Sequence, residues 1–178
     1  MMFEIKPQDP ETYRSQTRRS TLIIAVMFAA LAMLLSTAAV MWFGEPGGDN
    51  FRLNVAGVVA GLLVSIALLR LKLSPQPWMA AAIYGWQLKR SLMRVTNIMH
   101  HVTAGVAAGD PAAMDLLRFY HLGLTQMHQL DANSSALSQE MRDIDQHKAR
   151  MTAQGMDTEI YRLDPAWLTA VKKAAGVK

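Results

Sequence analysis

From Leu22 to Phe43 the chain carries no charged residue, and from Leu53 to Leu69 it again carries none. About 20 residues at 1.5 Å rise per residue cross a ~30 Å hydrocarbon layer as a helix. Both runs therefore predict membrane helices. Only Gly44 to Arg52 separates them, and Gly44-Glu-Pro-Gly-Gly-Asp-Asn50 is turn chemistry throughout. Pro75-Gln-Pro77 then stops the second helix.

Beyond the prolines the pattern changes. Leu88, Leu92, Val95, Met99, Val102 and Val106 recur in steps of four and three, which predicts one amphipathic helix ending near Gly109. Asp110-Pro111 supplies an N-cap and a first-turn proline for the next helix, carrying Met114, Leu117, Leu124 and Met127. Leu137, Met141, Ile144 and Met151 mark a third helix ended by Gly155, and Asp164-Pro165 starts a short last one with Leu168 and Val171. No strand signal of useful length occurs. The expected fold is all-α: a two-helix transmembrane hairpin followed by a small cytoplasmic helical bundle.

Charge orients this plan. Arg18 and Arg19 precede the first span, Arg70 and Lys72 follow the second, and the connecting loop holds only Arg52 against Glu45 and Asp49. Basic residues near span ends stay on the cytoplasmic side. The divisions expected are a cytoplasmic tail over 1–21, a first transmembrane helix over 22–43 and a periplasmic loop over 44–52. A second transmembrane helix over 53–73 and a cytoplasmic helical domain over 74–178 complete them. A secretion signal is the competing reading of the first run, but the run exceeds the 7–15 residues of a signal core and a second run follows at once. The second run, short at 17 residues, reads alternatively as a buried core helix, unless Arg70 and Lys72 snorkel to the interface.

Neither span holds an ionisable residue, the usual mark of an ion or proton path. Gly57, Gly61 and Ser65 form a small-residue face on the second helix, and Ala25, Ala29, Ala32 and Ser36 on the first are placed to receive it. A second copy of the chain or another membrane protein could receive it equally well. Trp78 and Trp86, with Lys89, Arg90 and Arg94, match the aromatic and basic pattern of a membrane interface, and Arg18, Arg19, Arg52, Arg70 and Lys72 anchor the span ends. Two tryptophans in a soluble core are the alternative.

Candidate chemistry is sparse. Cysteine is absent, which removes disulfides, thiolate zinc sites and cysteine nucleophiles. No phosphate-cradling glycine loop, nucleophile elbow or zinc-protease motif occurs. A metal-assisted centre needs His121, His128 and His147 to converge with Asp131 or Asp143. They are expected not to converge on one ion and to titrate as ordinary imidazoles near 6.5. Basic residues in the helical domain are offset by nine acidic ones with no reading helix, so nucleic acid is not an expected partner. No cofactor, metal or small-molecule substrate is implied.

Several stretches resemble a known family. They are Asp49-Asn-Phe-Arg-Leu-Asn54, Trp86-Gln-Leu-Lys-Arg90, Gly109-Asp-Pro, Phe119-Tyr-His-Leu-Gly-Leu124 and Gln129-Leu-Asp131. Together they are similar to the bacterial inner-membrane proteins called domain of unknown function 3087, over most of the chain and least beyond Asp143. The resemblance implies a proteobacterial origin and inner-membrane placement, and it brings no catalytic residues. The expected function is a membrane-anchored accessory or adaptor protein. Its partner surface is expected at Leu88, Leu92, Val95, Met99, Tyr120, His121 and His128. Expected partners are the lipid bilayer and another membrane protein or a second copy. A homo-oligomer with a pore or scaffold role is the alternative, followed by the metal-assisted enzyme.

Overall fold

The computed structural model describes residues 2–176, without the side chains of residues 134–139; the expectation for Leu137 lies outside the described side chains. Seven helices and one two-stranded ladder are present among the described residues, in two compact units. One unit joins the segment up to Arg14 with the chain from Tyr84 onward, and the other is Ser15–Ile83. The all-α expectation holds.

Helix α1 (Pro10–Phe43) starts twelve residues earlier than the first apolar run. The reason is local: Asp9 caps it, its carboxylate accepting from the Thr12 N–H at 2.8 Å, and Pro10 pre-sets the first turn. The Thr12 contacts hold the Asp9 carboxyl below its ordinary value. The stretch read as a tail over 1–21 is thus divided between a strand, a helix start and the two units.

Within the second unit, α1 lies beside α2 (Phe51–Leu68). Gly57 and Gly61 are buried where they meet Ser36 and Ala32. A Cβ on Gly61 would come within 2.8 Å of the Ala32 Cα, and one on Gly57 would overlap the Ser36 backbone. The missing side chains are what permit this approach. Ser36 Oγ donates to Asn54 Oδ1 at 2.7 Å nearby, while Ser65 Oγ donates to the Gly61 carbonyl of its own helix at 2.7 Å. Ala25 and Ala29 do not join this face and stay exposed, which corrects the longer contact expected from spacing. After Leu68 the helix widens into a π-turn (Leu69–Leu73), where the Ser74 N–H donates five residues back to the Leu69 carbonyl at 2.8 Å. Both apolar helices are long and apolar enough to cross a membrane.

The first unit is built around α5 (Pro111–Leu130), whose Met114, Leu116 and Phe119 are fully buried. Helices α4 (Met99–Ala107), α6 (Ser134–Ala153) and α7 (Pro165–Ala174) all pack on it. Helix α3 (Ala80–Thr96) meets it at Gly123, where Leu88, Leu92 and Ile5 crowd the position a Cβ would take. The stripe from Leu88 to Val106 is therefore not one helix: it breaks at Asn97 and Ile98, between α3 and α4. Ile98, Val102 and Val106 stay buried across the break.

Strand β1 (Phe3–Glu4) pairs antiparallel with β2 (Arg162–Leu163), in register Phe3 to Leu163 and Glu4 to Arg162. Two residues per strand are too few to leave a period-two signal. The segment after β1 is tied down by polar contacts: the Lys6 N–H donates to Tyr84 Oη at 3.1 Å, and Gln126 Nε2 donates to the Lys6 carbonyl at 2.5 Å. Tyr84 Oη also meets Gln126 Oε1. Gly85 leaves room for Tyr13, whose hydroxyl occupies the place of a Cβ.

Candidate functional site

Helices α4, α5 and α6 leave a cavity of about 440 Å³ between them. Met99, Val106, Leu117 and Leu124 supply its apolar wall, and His121, Tyr120, Glu140, Asp143, His147 and Arg150 supply the polar groups. The polar set on α6 follows from spacing: positions 140, 143, 147 and 150 fall on one face of a helix.

His121 is 7% exposed, and among the described residues neither its Nδ1 nor the buried Glu140 Oε2 has a hydrogen-bond partner. The His121 ring lies edge-on to His147, with centroids 5.3 Å apart. His147 Nε2 lies 3.0 Å from the Met114 carbonyl. A carbonyl only accepts, so that contact places the His147 proton on Nε2. Burial, then the His147 and Arg118 charges, push the His121 pKa down to about 4, and burial lowers that of His147 as well. Both rings are thus neutral at physiological pH, which corrects the expectation of ordinary titration near 6.5. Of the three histidines weighed for a metal-assisted centre, His121 and His147 meet edge-on. His128 is half-buried elsewhere on α5 and does not line the cavity. Among the described residues, no three His, Asp or Glu side chains are grouped to hold a metal ion. Chemically the cavity offers apolar contact beside buried polar groups that lack hydrogen-bond partners among the described residues.

Of the expected partner surface, Met99, Tyr120 and His121 come together here. Leu88, Leu92 and Val95 do not: they are at most 4% exposed and form the domain's own core. Periodicity identified the stripe as apolar, and α5 is what covers it. The residues read as interfacial are placed on surfaces in most cases. Arg18, Arg19, Arg52, Arg70, Lys72, Trp86, Lys89 and Arg90 are exposed, whereas Trp78 and Arg94 are half-buried. Lys89 is engaged, its Nζ 3.0 Å from Asp131 Oδ2.

Arg118 escaped the sequence reading. It is 4% exposed, and its Nε donates to the Thr158 carbonyl at 2.7 Å, fastening α5 to the segment after α6. Nothing in local sequence distinguishes it from a solvated arginine.

No curated protein and no solved structure matches the chain. A family model described as protein of unknown function (DUF3087) matches residues 3–168. That span takes in both apolar helices, the whole of α5 and the cavity beside it, and the chain accordingly belongs to the DUF3087 family.

Proposed function

We propose that the chain is a membrane-anchored adaptor. In this reading α1 and α2 form a hairpin across a bacterial inner membrane, and both termini face the cytoplasm. The helical domain is cytoplasmic and binds a segment of another protein in the cavity between α4, α5 and α6. The observation that carries the reading is that cavity. Its wall is apolar, and the buried His121 Nδ1 and Glu140 Oε2 have no hydrogen-bond partner among the described residues. A buried polar group left unpaired costs about 1–3 kcal/mol, so a partner that brings hydrogen-bonding groups recovers that cost on binding. An apolar segment carrying amide or basic donors fits this arrangement.

The membrane part rests on exposed apolar surface. Leu22, Val26, Met33, Leu34, Leu62 and Leu63 all stand on the outside of their helices. Continuous apolar faces of this kind are a liability in water and suited to lipid. The Gly57 and Gly61 face, which favoured a homo-oligomer, is occupied by α1 of the same chain.

Two experiments test the reading. A photo-crosslinking residue at Asp143 or Gln146 should yield one discrete protein adduct in native membranes, and one at Thr169 on α7 should not. A particle that is monomeric in mild detergent and forms no adduct from any of these positions overturns the adaptor. Separately, accessible labels at Asp49 and Lys172 should report opposite sides of the membrane; both on one side overturns the hairpin.

A further inference from the structure

We propose that the cleft between β1 and the outer face of α3 binds the phosphate of an anionic membrane lipid, laying that face on the bilayer surface. The proposal rests on the reading that α1 and α2 cross a bilayer. The cleft has a volume of about 260 Å³ and is lined by Phe3, Trp86, Gln87, Arg90, Ser91 and Arg94 beside the exposed Met2. Its polar groups are two guanidiniums, an amide and a hydroxyl, and no carboxylate lines it.

Arg90 and Arg94 are one helical turn apart, so their guanidiniums can address one phosphate together. Neither has an ion-pair partner among the described residues. Lys89, the third cation of the cluster, is drawn off by Asp131, and the acid nearest in sequence to Phe3, Glu4, pairs with Arg162 at 3.6 Å. The positive charge in the cleft is thus unneutralised.

Apolar anchors flank it on the same face. Trp86 is 58% exposed and Met93 62% exposed, and positions 86, 90, 93 and 94 share one side of α3. Leu88, Leu92 and Val95 occupy the opposite side and are buried. The Arg90 guanidinium carbon sits 5.0 Å from the Trp86 ring centroid, a stacked cation of the kind found at headgroup depth. A free phosphate would account for the arginines alone. The exposed tryptophan and methionine beside them favour a phosphate attached to a lipid.

The test uses the full chain, which has no cysteine. Met93→Cys carries an environment-sensitive fluorophore, and the protein is placed in nanodiscs of phosphatidylcholine alone or mixed with phosphatidylglycerol. Nitroxide-headgroup lipids act as quenchers. The expected result is quenching in the anionic discs, relieved by high salt, and little in the neutral ones. Arg90→Gln with Arg94→Gln should weaken it by about fivefold per arginine. Arg90→Lys with Arg94→Lys should restore most of it, which separates lost charge from lost folding. Equal quenching in both discs, or quenching untouched by the glutamine pair, overturns the proposal. Inorganic phosphate acting in neutral discs as strongly as phosphatidylglycerol overturns it too, because the ligand is then a free anion. Failure to enter either disc breaks the spanning reading and this proposal with it; entry without dependence on anionic lipid breaks this proposal alone.

Discussion

In α1, Leu22, Val26, Met33 and Leu34 are each more than 60% exposed, whereas in α5 Met114, Leu116 and Phe119 have no exposed surface at all. The two units treat the same kinds of side chain in opposite ways. In the second unit only 6% of the most apolar window of α1 is buried, and contact between its helices runs through glycine and small residues. In the first unit the apolar faces of α3, α4, α6 and α7 close over α5. The difference teaches where stability resides: burial of apolar area from water holds the first unit, while close backbone packing holds the helix pair of the second.

The largest expected effect is a core deletion that separates the units. Phe119→Ala should cost about 3–5 kcal/mol through lost transfer energy and a cavity. Leu34→Ala, on an outward face of α1, should stay within about 0.5 kcal/mol. Chemical denaturation in detergent, followed by the near-ultraviolet signal of the helical domain, measures both. Similar losses at the two sites would erase the comparison.

Acid comes next, and it should act on the first unit alone. The His121 pKa is about 4 when folded against 6.5 when unfolded, so between those values the unfolded chain binds more protons. Stability is then present in full above about pH 6.5 and falls as the pH drops toward 4. The loss is of order 3 kcal/mol for His121, and the lowered pKa of His147 adds in the same direction. His121→Leu should flatten the profile of melting temperature against pH; an unchanged slope would place the titrating group elsewhere.

Gly61→Leu probes the second unit in return. The added side chain meets the Ala32 backbone and should cost about 1–3 kcal/mol of helix pairing, leaving the melting of the helical domain unchanged. Disulfide formation in Ser36→Cys/Asn54→Cys reads this directly, since the native side chains are in hydrogen-bond contact at 2.7 Å. Rapid formation in the parent and slow formation in the leucine variant is the expected outcome. The smallest effect belongs to a cap. Asp110→Ala removes the acceptor for the Ala112 N–H, at 3.0 Å, and should lower stability of the first unit by about 1 kcal/mol in the same denaturation assay.

Part of the plan could be read without coordinates, and the residues show why. Asp110-Pro111 and Asp164-Pro165 start α5 and α7 as expected, with each carboxylate accepting from the N–H two residues on. The same dipeptide at Asp9-Pro10 starts α1, twelve residues before the apolar run at Leu22 that marks the span. Gly109, at φ +77°, follows α4 in the left-handed conformation that ends helices. Gly57 and Gly61 were legible as a packing face, though not which helix would fill it. The cavity was legible in fragments. Tyr120 and His121 belong to the partner surface expected from sequence, but Glu140 and Arg150 look like any solvated charge on a helix.

Local sequence determined the two apolar helices, the caps that start α5 and α7 and the apolar faces of the domain's helices. Those properties depend on neighbours within a turn or two, through solvation of side chains and satisfaction of terminal N–H groups. Tertiary structure alone decided what covers each face. It turned Leu88, Leu92 and Val95 into core, broke their helix at Asn97 and Ile98, and paired Phe3 with Leu163. It also brought His121 against His147 across 26 positions of sequence. Periodicity states that a face must be hidden from water; only the packing of distant segments decides what hides it.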